Sequence, residues 1–373
     1  MNILYTNFHR GDGGGHTTYI RLLAQGLAQR HHVCVAAAPD SRLNREAKEL
    51  AGVTVLDQSF PSGPQKIPAW TQAWRQLRAF IREHEIHVVH VNGSADHRLV
   101  MRAVRGLMQR PVIVFTQHNT KRLDTLGKRW RARFGTDAVI AVCDYSRRQL
   151  EASPYRRCQL ATVHNGVDVE YFQPFTTAAA ALARNNWTHD DKLLLGSNAG
   201  TGDHKGWMDL VEALATLPDE LRQQVHVLIA GQHVAADKLE RIKALGLEGQ
   251  VRFTGLLDDV RPMLAAIDVG FVLSHDIETI SFACREMMAM GKPVLCSDAG
   301  GLPENIKQGV DGWVVPARDQ AAIATTLSDI IDQRDRLPAM GRAARKHAES
   351  EFSLDRFINK TEAVYSKVLS VCR

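Results

Sequence analysis

Two glutamates eight residues apart, Glu278 and Glu286, enclose Thr-Ile-Ser-Phe-Ala-Cys-Arg across an expected strand-to-helix turn. That separation slightly exceeds two helical turns, so both can share one side of a helix N-terminus when the first lies in the preceding loop. Carboxylates so placed accept hydrogen bonds from hydroxyls at two ends of one ligand. The backbone N–H groups at Thr279, Ile280 and Ser281 would face phosphates between those ends, as helix N-termini do. A nucleoside diphosphate-sugar carries this pattern of groups. The plainer alternative is a first-turn glutamate favoured by the macrodipole, followed by an ordinary exposed helix residue.

Three other stretches carry candidate chemistry. In Gly196-Ser-Asn-Ala-Gly-Thr-Gly-Asp-His-Lys205-Gly206, a lysine stands at an expected helix start. The macrodipole favours acids there, so an anion in front of Lys205 is the better explanation, with Asn198, Thr201 and His204 as further polar candidates. Gly11-Asp-Gly-Gly-Gly-His16 follows the first strand and precedes a helix. A glycine-rich turn in that place lets backbone approach an anion closely, although its spacing is not the dinucleotide fingerprint. Gln117-His118-Asn119 ends the fifth strand, where open α/β sheets hold their ligands.

Apolar, β-branched runs alternate with amphipathic stretches from the first residue, which predicts parallel sheets with crossover helices. Expected strands are Ile3–Thr6, Val33–Ala37, Val53–Leu56, His87–Val91, Val112–Thr116 and Ala138–Val142, with helices Thr17–Gln29, Pro68–Glu83 and Asp96–Met108 between them. Phe172–Asn186, with Pro174 and a run of alanines, interrupts the pattern. The alternation resumes with strands near Leu193–Gly196, Val225–Ala230, Val251–Thr254, Val269–Leu273, Pro293–Ser297 and Trp313–Val315, and with helices near Gly206–Leu214, Asp237–Ala244 and Ala321–Gln333. A chain of 373 residues suits two such domains of roughly 170 to 190 residues each, and two domains supply a cleft.

Composition narrows the class. Apolar residues are 45% and charged residues 23%, the balance of a globular protein. No apolar run approaches the ~18 residues of a spanning helix, and the first residues lack a signal-peptide pattern, so a cytoplasmic location is expected. A net charge of +5 does not call for a nucleic-acid partner but leaves room for anionic ligands. The six cysteines are scattered without a C-x-x-C pair, which suggests neither a zinc site nor a disulfide framework.

The stretch after Glu286 resembles a known family. Ala289-Met-Gly-Lys-Pro-Val294, Asp298-Ala-Gly-Gly-Leu-Pro-Glu304 and Asp311-Gly-Trp-Val-Val315 follow the glutamate pair in order. This is similar to the donor half of the retaining glycosyltransferases numbered family 4, with E-x7-E, A-x-G-x-P-V, D-x-G-G-x-P-E and D-G-x-x-V. The resemblance implies an α/β protein of GT-B type, two Rossmann-like doubly wound domains facing each other across a cleft. Residues 1–172 would form the acceptor side and 173–353 the nucleotide-sugar domain, with the helix 354–373 available to pack back on the first.

The resemblance also implies roles. His118, Lys205 and Glu278 would be catalytic. Gly14, Gly15, Asn198, Thr201, Lys205, Thr279, Ile280, Ser281 and Glu286 would hold the donor, with Glu278 on the sugar and Glu286 on the ribose. His16 and Asn119 would lie on the acceptor side, and Val163-His-Asn-Gly-Val-Asp168 would be a structural turn. One departure stands out: the family has an arginine between the first strand of the donor domain and the lysine-glycine pair, and this chain has none. The implied reaction moves a sugar from a UDP- or GDP-sugar to a glycan or glycolipid hydroxyl, such as a lipopolysaccharide core, with no cofactor and no essential metal. The alternatives are a nucleotide-sugar 2-epimerase of the same fold and a non-catalytic sugar-nucleotide-binding subunit.

Lys121-Arg122 and Lys128-Arg-Trp-Arg-Ala-Arg133 gather cations around a tryptophan on an expected short helix. Such a stretch can rest on anionic lipid, which would place the protein peripherally on the inner face of the cytoplasmic membrane. The alternative is a solvated basic helix with Trp130 packed inward.

Overall fold

The computed structural model describes residues 1–11, 14–62, 66–119, 123–188, 191–276 and 278–372. Lys121 and Arg122 of the basic stretch therefore lie outside the described residues, as do Asp12 and Gly13 of the glycine-rich turn. The chain divides into two compact units, Met1–Gly166 with Leu354–Arg373, and Val167–Ser353.

In the first unit the order is β1 (Asn2–Asn7), α1 (Gly15–Leu27), β2 (His32–Ala37), α2 (Arg42–Glu49), β3 (Val53–Asp57), α3 (Ile67–Glu83), β4 (Val88–Val91), α4 (Ser94–Val104), β5 (Val112–Gln117), α5 (Leu126–Phe134), β6 (Ala138–Ala141), α6 (Asp144–Glu151) and β7 (Gln159–Thr162). In the second it is α7 (Thr177–Asn185), β8 (Leu193–Ser197), α8 (Trp207–Thr216), α9 (Asp219–Arg222), β9 (Val225–Ala230), α10 (Ala236–Ala244), β10 (Val251–Gly255), α11 (Arg261–Ala266), β11 (Val269–Val272), α12 (Phe282–Ala289), β12 (Val294–Ser297), β13 (Gly312–Val315), α13 (Gln320–Asp332) and α14 (Leu337–Glu351). The last helix, α15 (Leu354–Cys372), belongs to the first unit.

Among the described residues the first sheet runs β3-β2-β1-β4-β5-β6-β7 and the second β10-β9-β8-β11-β12-β13, with parallel pairing throughout. Strands covered on both faces must be apolar at successive positions, which is why β5 (Val-Ile-Val-Phe-Thr-Gln) and β9 (Val-His-Val-Leu-Ile-Ala) are buried along their whole length. Strand order reverses beside β1 and β4 in one sheet and beside β8 and β11 in the other. A crevice opens at the carboxyl ends of the strands at such a reversal.

The division falls at Gly166 rather than after residue 172. A Cβ at Gly166 would stand 2.8 Å from the Cβ of Phe357 in α15, so the glycine seats the chain against the first unit. One residue later, the Val167 N–H donates to the Phe352 carbonyl at 2.8 Å within the second. The alanine run expected to break the pattern is instead α7, capped by the Thr176 hydroxyl, which accepts from the Ala179 N–H. Arg184 of that helix pairs with Asp268 at 3.1 Å just before β11.

Candidate functional site

In the second unit the candidate residues gather at the carboxyl ends of β8 and β11. Lys205 closes a short 3-10 turn, Asp203–Lys205, and Gly206 then caps the start of α8 with φ 68°. A Cβ on Gly206 would lie 1.8 Å from the Leu273 carbonyl oxygen, so only glycine lets the lysine turn press against the end of β11. That approach brings Lys205 Nζ to 2.8 Å from Glu278 Oε2, and the same oxygen accepts the Ser274 hydroxyl at 3.2 Å. Gly300, φ 59°, likewise packs its Cα against Glu278, because a Cβ there would meet the Glu278 carbonyl at 1.8 Å. The glycine loop after β12 thus fixes the backbone that carries the carboxylate.

Glu278 lies in the loop before α12 and Glu286 on the helix. Ser281 is the helix cap, its hydroxyl accepting from the Cys284 N–H at 3.3 Å, so Thr279–Ser281 lead into the helix and Phe282 begins it. Thr279, Ile280 and Ser281 have buried side chains. Glu286 accepts from Asn198 Nδ2 at 2.6 Å, and burial pushes its carboxyl up to about 7 against that hydrogen bond. Asn198 Oδ1 is buried, with no hydrogen-bond partner among the described residues. The Asn198 amide nitrogen thus serves Glu286 rather than a phosphate. Together the two side chains offer acceptors suited to neighbouring hydroxyls.

The remaining polar candidates of the glycine-rich loop are divided. The Thr201 hydroxyl donates to the Gln232 carbonyl at 3.0 Å, while the Thr201 carbonyl accepts from Trp207 Nε1 at 2.9 Å. His204 is exposed, and its carbonyl accepts from the His275 N–H. Three further residues take part: Ser274, His275 and Asp209, the last two paired at 2.7 Å so that the loop after β11 is tied to α8. The signal for them is Ser274-His275 directly after an apolar strand. Lys238 of α10 lies 3.7 Å from Asp203 of the lysine turn.

In the first unit, His118 follows β5 and sits between the rings of His16, at 4.3 Å, and Tyr19, at 4.6 Å edge-on. Asn92 Nδ2 donates to the carbonyls of Thr6 and His90, so its Oδ1 must accept from His118 Nε2, 2.8 Å away. The proton is therefore on Nε2 and Nδ1 is the acceptor. Burial, then the neighbouring His16, His90 and His9, hold His118 well below the usual imidazole range, and burial pushes His16 down to about 4. Both rings are neutral at physiological pH. Asp96 holds this corner by accepting from the Thr6 hydroxyl at 2.9 Å and from the Asn92 N–H at 2.8 Å.

Gly14 caps α1, its carbonyl accepting from the Thr17 N–H, and Gly15 is the first helical residue. Asn119 accepts from Gln117 at its carbonyl. Behind His118 a buried chain of hydrogen bonds runs Tyr5, Tyr365, His90, Thr116, Tyr19, with links of 3.0, 2.6, 2.6 and 3.1 Å. Tyr365 comes from α15, so the last helix completes this core.

On α5 the structure corrects both sequence expectations in part. Trp130 is 54% exposed and does not pack inward; Leu126 and Phe134, one turn to each side, are also exposed. Arg131, by contrast, is buried beside Ser94 and drops out of the basic face, leaving Arg129 and Arg133 exposed. No described helix is long and apolar enough to cross a membrane.

Comparison with known proteins bears on the family and the fold. The family model described as "Glycosyltransferase Family 4" matches residues 13–171, and the one described as "Glycosyl transferases group 1" matches residues 181–347. The GDP-mannose-dependent α-(1-6)-phosphatidylinositol monomannoside mannosyltransferase of Mycobacterium tuberculosis is 25% identical over 373 residues, 95% of this chain and 94% of that one. The lipopolysaccharide core biosynthesis mannosyltransferase LpcC of Rhizobium leguminosarum is 27% identical, over 83% of this chain and 86% of that one. The D-inositol 3-phosphate glycosyltransferase of Streptomyces scabiei is 32% identical over 60% of this chain, and the match spans about half, 51%, of that relative. Among solved structures, a glycosyltransferase from Rickettsia africae superposes with a TM-score of 0.85 at 18% identity, covering 99% of this chain and 98% of that one. Anabaena HepE in complex with UDP-glucose does so with 0.80 at 20%, covering 98% and 100%. Two parallel α/β sheets of GT-B type, the motif series from Glu278 to Val315 and family models over both halves place this chain in glycosyltransferase family 4.

Proposed function

We propose that the protein transfers a sugar from a nucleoside diphosphate-sugar, of UDP or GDP type, to a hydroxyl of a glycan or glycolipid acceptor such as a lipopolysaccharide core, retaining the anomeric configuration and needing no metal. The observation that carries this reading is the pair of contacts Lys205–Glu278 and Asn198–Glu286 at the strand-order reversal of the second unit. Lys205 and the start of α12 offset charge on the departing diphosphate, using groups already in place. Glu278 accepts from sugar hydroxyls, and Glu286 with Asn198 Oδ1 from the ribose. The bond from the anomeric carbon to the diphosphate oxygen breaks, the acceptor oxygen bonds to that carbon on the same face, and its proton passes to the diphosphate. Neutral His118 contributes an uncharged ring beside His16 on the acceptor side. The printed names of the mycobacterial and rhizobial relatives, both mannosyltransferases, support a glycolipid or lipopolysaccharide acceptor.

The test has two stages. UDP, GDP and their sugars are screened for a rise in apparent melting temperature, since a ligand of the native state stabilises it. With the nucleotide that binds, acceptor glycans are offered and the product anomer is read by NMR with and without chelator. Retained configuration, insensitivity to chelator and loss of transfer in folded Glu278→Gln and Lys205→Ala support the reading. An epimer formed without acceptor, or turnover unchanged in Glu278→Gln, overturns it.

The exposed face of α5 favours a membrane-resting acceptor. Leu126, Trp130 and Phe134 repeat at one-turn spacing beside Arg129 and Arg133, the pattern of a helix lying in a lipid interface. In this reading the protein works at the inner face of the cytoplasmic membrane. Co-sedimentation with anionic but not zwitterionic vesicles, reduced by Trp130→Ser with Phe134→Ser, is expected; binding indifferent to both lipid charge and these substitutions removes the reading.

A further inference from the structure

At the opposite end of the first sheet from His118, three metal-ligating side chains meet. His32 opens β2, and Cys34, two residues on, points to the same face of the strand. His84 ends α3, where its N–H bonds back to the Phe80 carbonyl and its ring lies 4.1 Å from that of Phe80. His32 Nε2 is 3.3 Å from His84 Nδ1 and 3.4 Å from Cys34 Sγ, and the three ligand atoms all lie within 4.8 Å of one another.

The His32–His84 and His32–Cys34 separations are those of a tetrahedral ion's ligands. Bonds of about 2.05 Å to nitrogen and about 2.3 Å to sulfur put two nitrogens about 3.3 Å apart and nitrogen and sulfur about 3.6 Å apart. The two imidazole planes lie within 14° of parallel, their facing nitrogens in position to share one proton that a metal would replace. The backbone on both sides is already fixed. Asn2, paired with His32 in the sheet register, donates from its side chain to the carbonyls of His84 at 2.9 Å and Glu85 at 3.1 Å. His32 is exposed, His84 half-buried and Cys34 buried, which gives an entry path and leaves the fourth position toward solvent.

We propose that His32, Cys34 and His84 form a binding site for a borderline-soft divalent cation of the Zn2+ class, at the opposite end of the first sheet from His118 and not part of the transfer chemistry. Two imidazoles and a thiolate select Zn2+ over Mg2+ or Ca2+, which prefer oxygen ligands. On binding, the Cys34 S–H loses its proton to solvent, and the proton between the imidazoles moves to an outer ring nitrogen. The ion links β2 to the end of α3.

The test uses the full chain, stripped of metal and carrying no affinity tag, titrated with Co2+ and then Zn2+. One equivalent of Co2+ is expected to give a thiolate-to-cobalt charge-transfer absorption that Zn2+ displaces. Zn2+ should raise the apparent melting temperature of the unaltered protein but not of His32→Ala. Affinity falls about tenfold or more in His32→Ala and His84→Ala, and Cys34→Ser loses the charge-transfer band. His32→Ala alters an exposed side chain and should fold even where Cys34→Ser does not. Absence of the band, or His32→Ala binding as tightly as the unaltered chain, overturns the proposal. Nucleotide binding, read on the same samples, reports separately on the transfer site.

Discussion

The Lys205 ammonium stands 2.8 Å from Glu278 Oε2, and the Ser274 hydroxyl shares that oxygen. Replacing Lys205 with Met removes the cation that the proposed function sets against the diphosphate while keeping most of the stem's packing. The expected fall in kcat is about 10²- to 10³-fold, the range seen when one preorganised charge stabiliser is lost. Steady-state kinetics against the nucleotide-sugar that the thermal screen identifies would measure it.

Glu286 imposes a pH dependence of defined sign. Burial raises its carboxyl from 4.5 to about 7, so between these values the folded state holds a proton that the unfolded state has released. Stability contributed at this site therefore falls as pH rises through that window. Glu286→Gln should flatten the fall and raise the melting temperature above pH 7, while weakening nucleotide binding. Melting curves from pH 4.5 to 8 test both.

Buried histidines act in the reverse direction. Burial lowers His16 to about 4 and His90 to about 3, so below pH 6.5 the unfolded chain takes up protons that the folded one refuses. The stability from these groups is complete above 6.5 and is lost as pH drops toward their folded values. His16→Asn should reduce the acid sensitivity of the first unit, measured by hydrogen exchange at pH 5 against pH 7.

Asn92 is a positioning residue: its Oδ1 fixes the ring and tautomer of His118. Asn92→Ala should lower kcat/KM about tenfold to a hundredfold, equivalent to roughly 1.4 to 2.7 kcal/mol, while leaving the nucleotide dissociation constant unchanged. Isothermal titration with nucleotide alongside kinetics would separate the two effects. Nucleotide affinity falling in parallel would contradict a role confined to His118.

Gly206→Ala meets the Leu273 carbonyl and a left-handed backbone together. A loss of about 2 to 4 kcal/mol is expected, because neither obstacle yields without moving β11 or the lysine turn. Denaturant unfolding would report it, and a neutral result would mean that the Lys205 turn can be re-seated.

Most strands were legible as short, largely apolar runs between turn residues, whereas β7 (Gln-Leu-Ala-Thr) has only two apolar residues between polar ones. The helix α7 was hidden by Pro174 and a run of alanines that reads as linker, although the Thr176 cap was present in the sequence. At the site, Lys205, Glu278 and Glu286 were visible from ordered motifs. Ser274, His275 and Asn92 were not, since their importance lies in the side chains they meet, many residues away. The His32–Cys34–His84 cluster escaped for the same reason: the third ligand is supplied by a different element.

Because Tyr365 of α15 satisfies His90 and Tyr5, the first unit cannot close its buried polar chain until that helix is available. The second unit, by contrast, is one uninterrupted stretch, Val167–Ser353. During synthesis the later stretch can finish folding while the earlier one still awaits its last helix. The half of the chain made first is the half completed last.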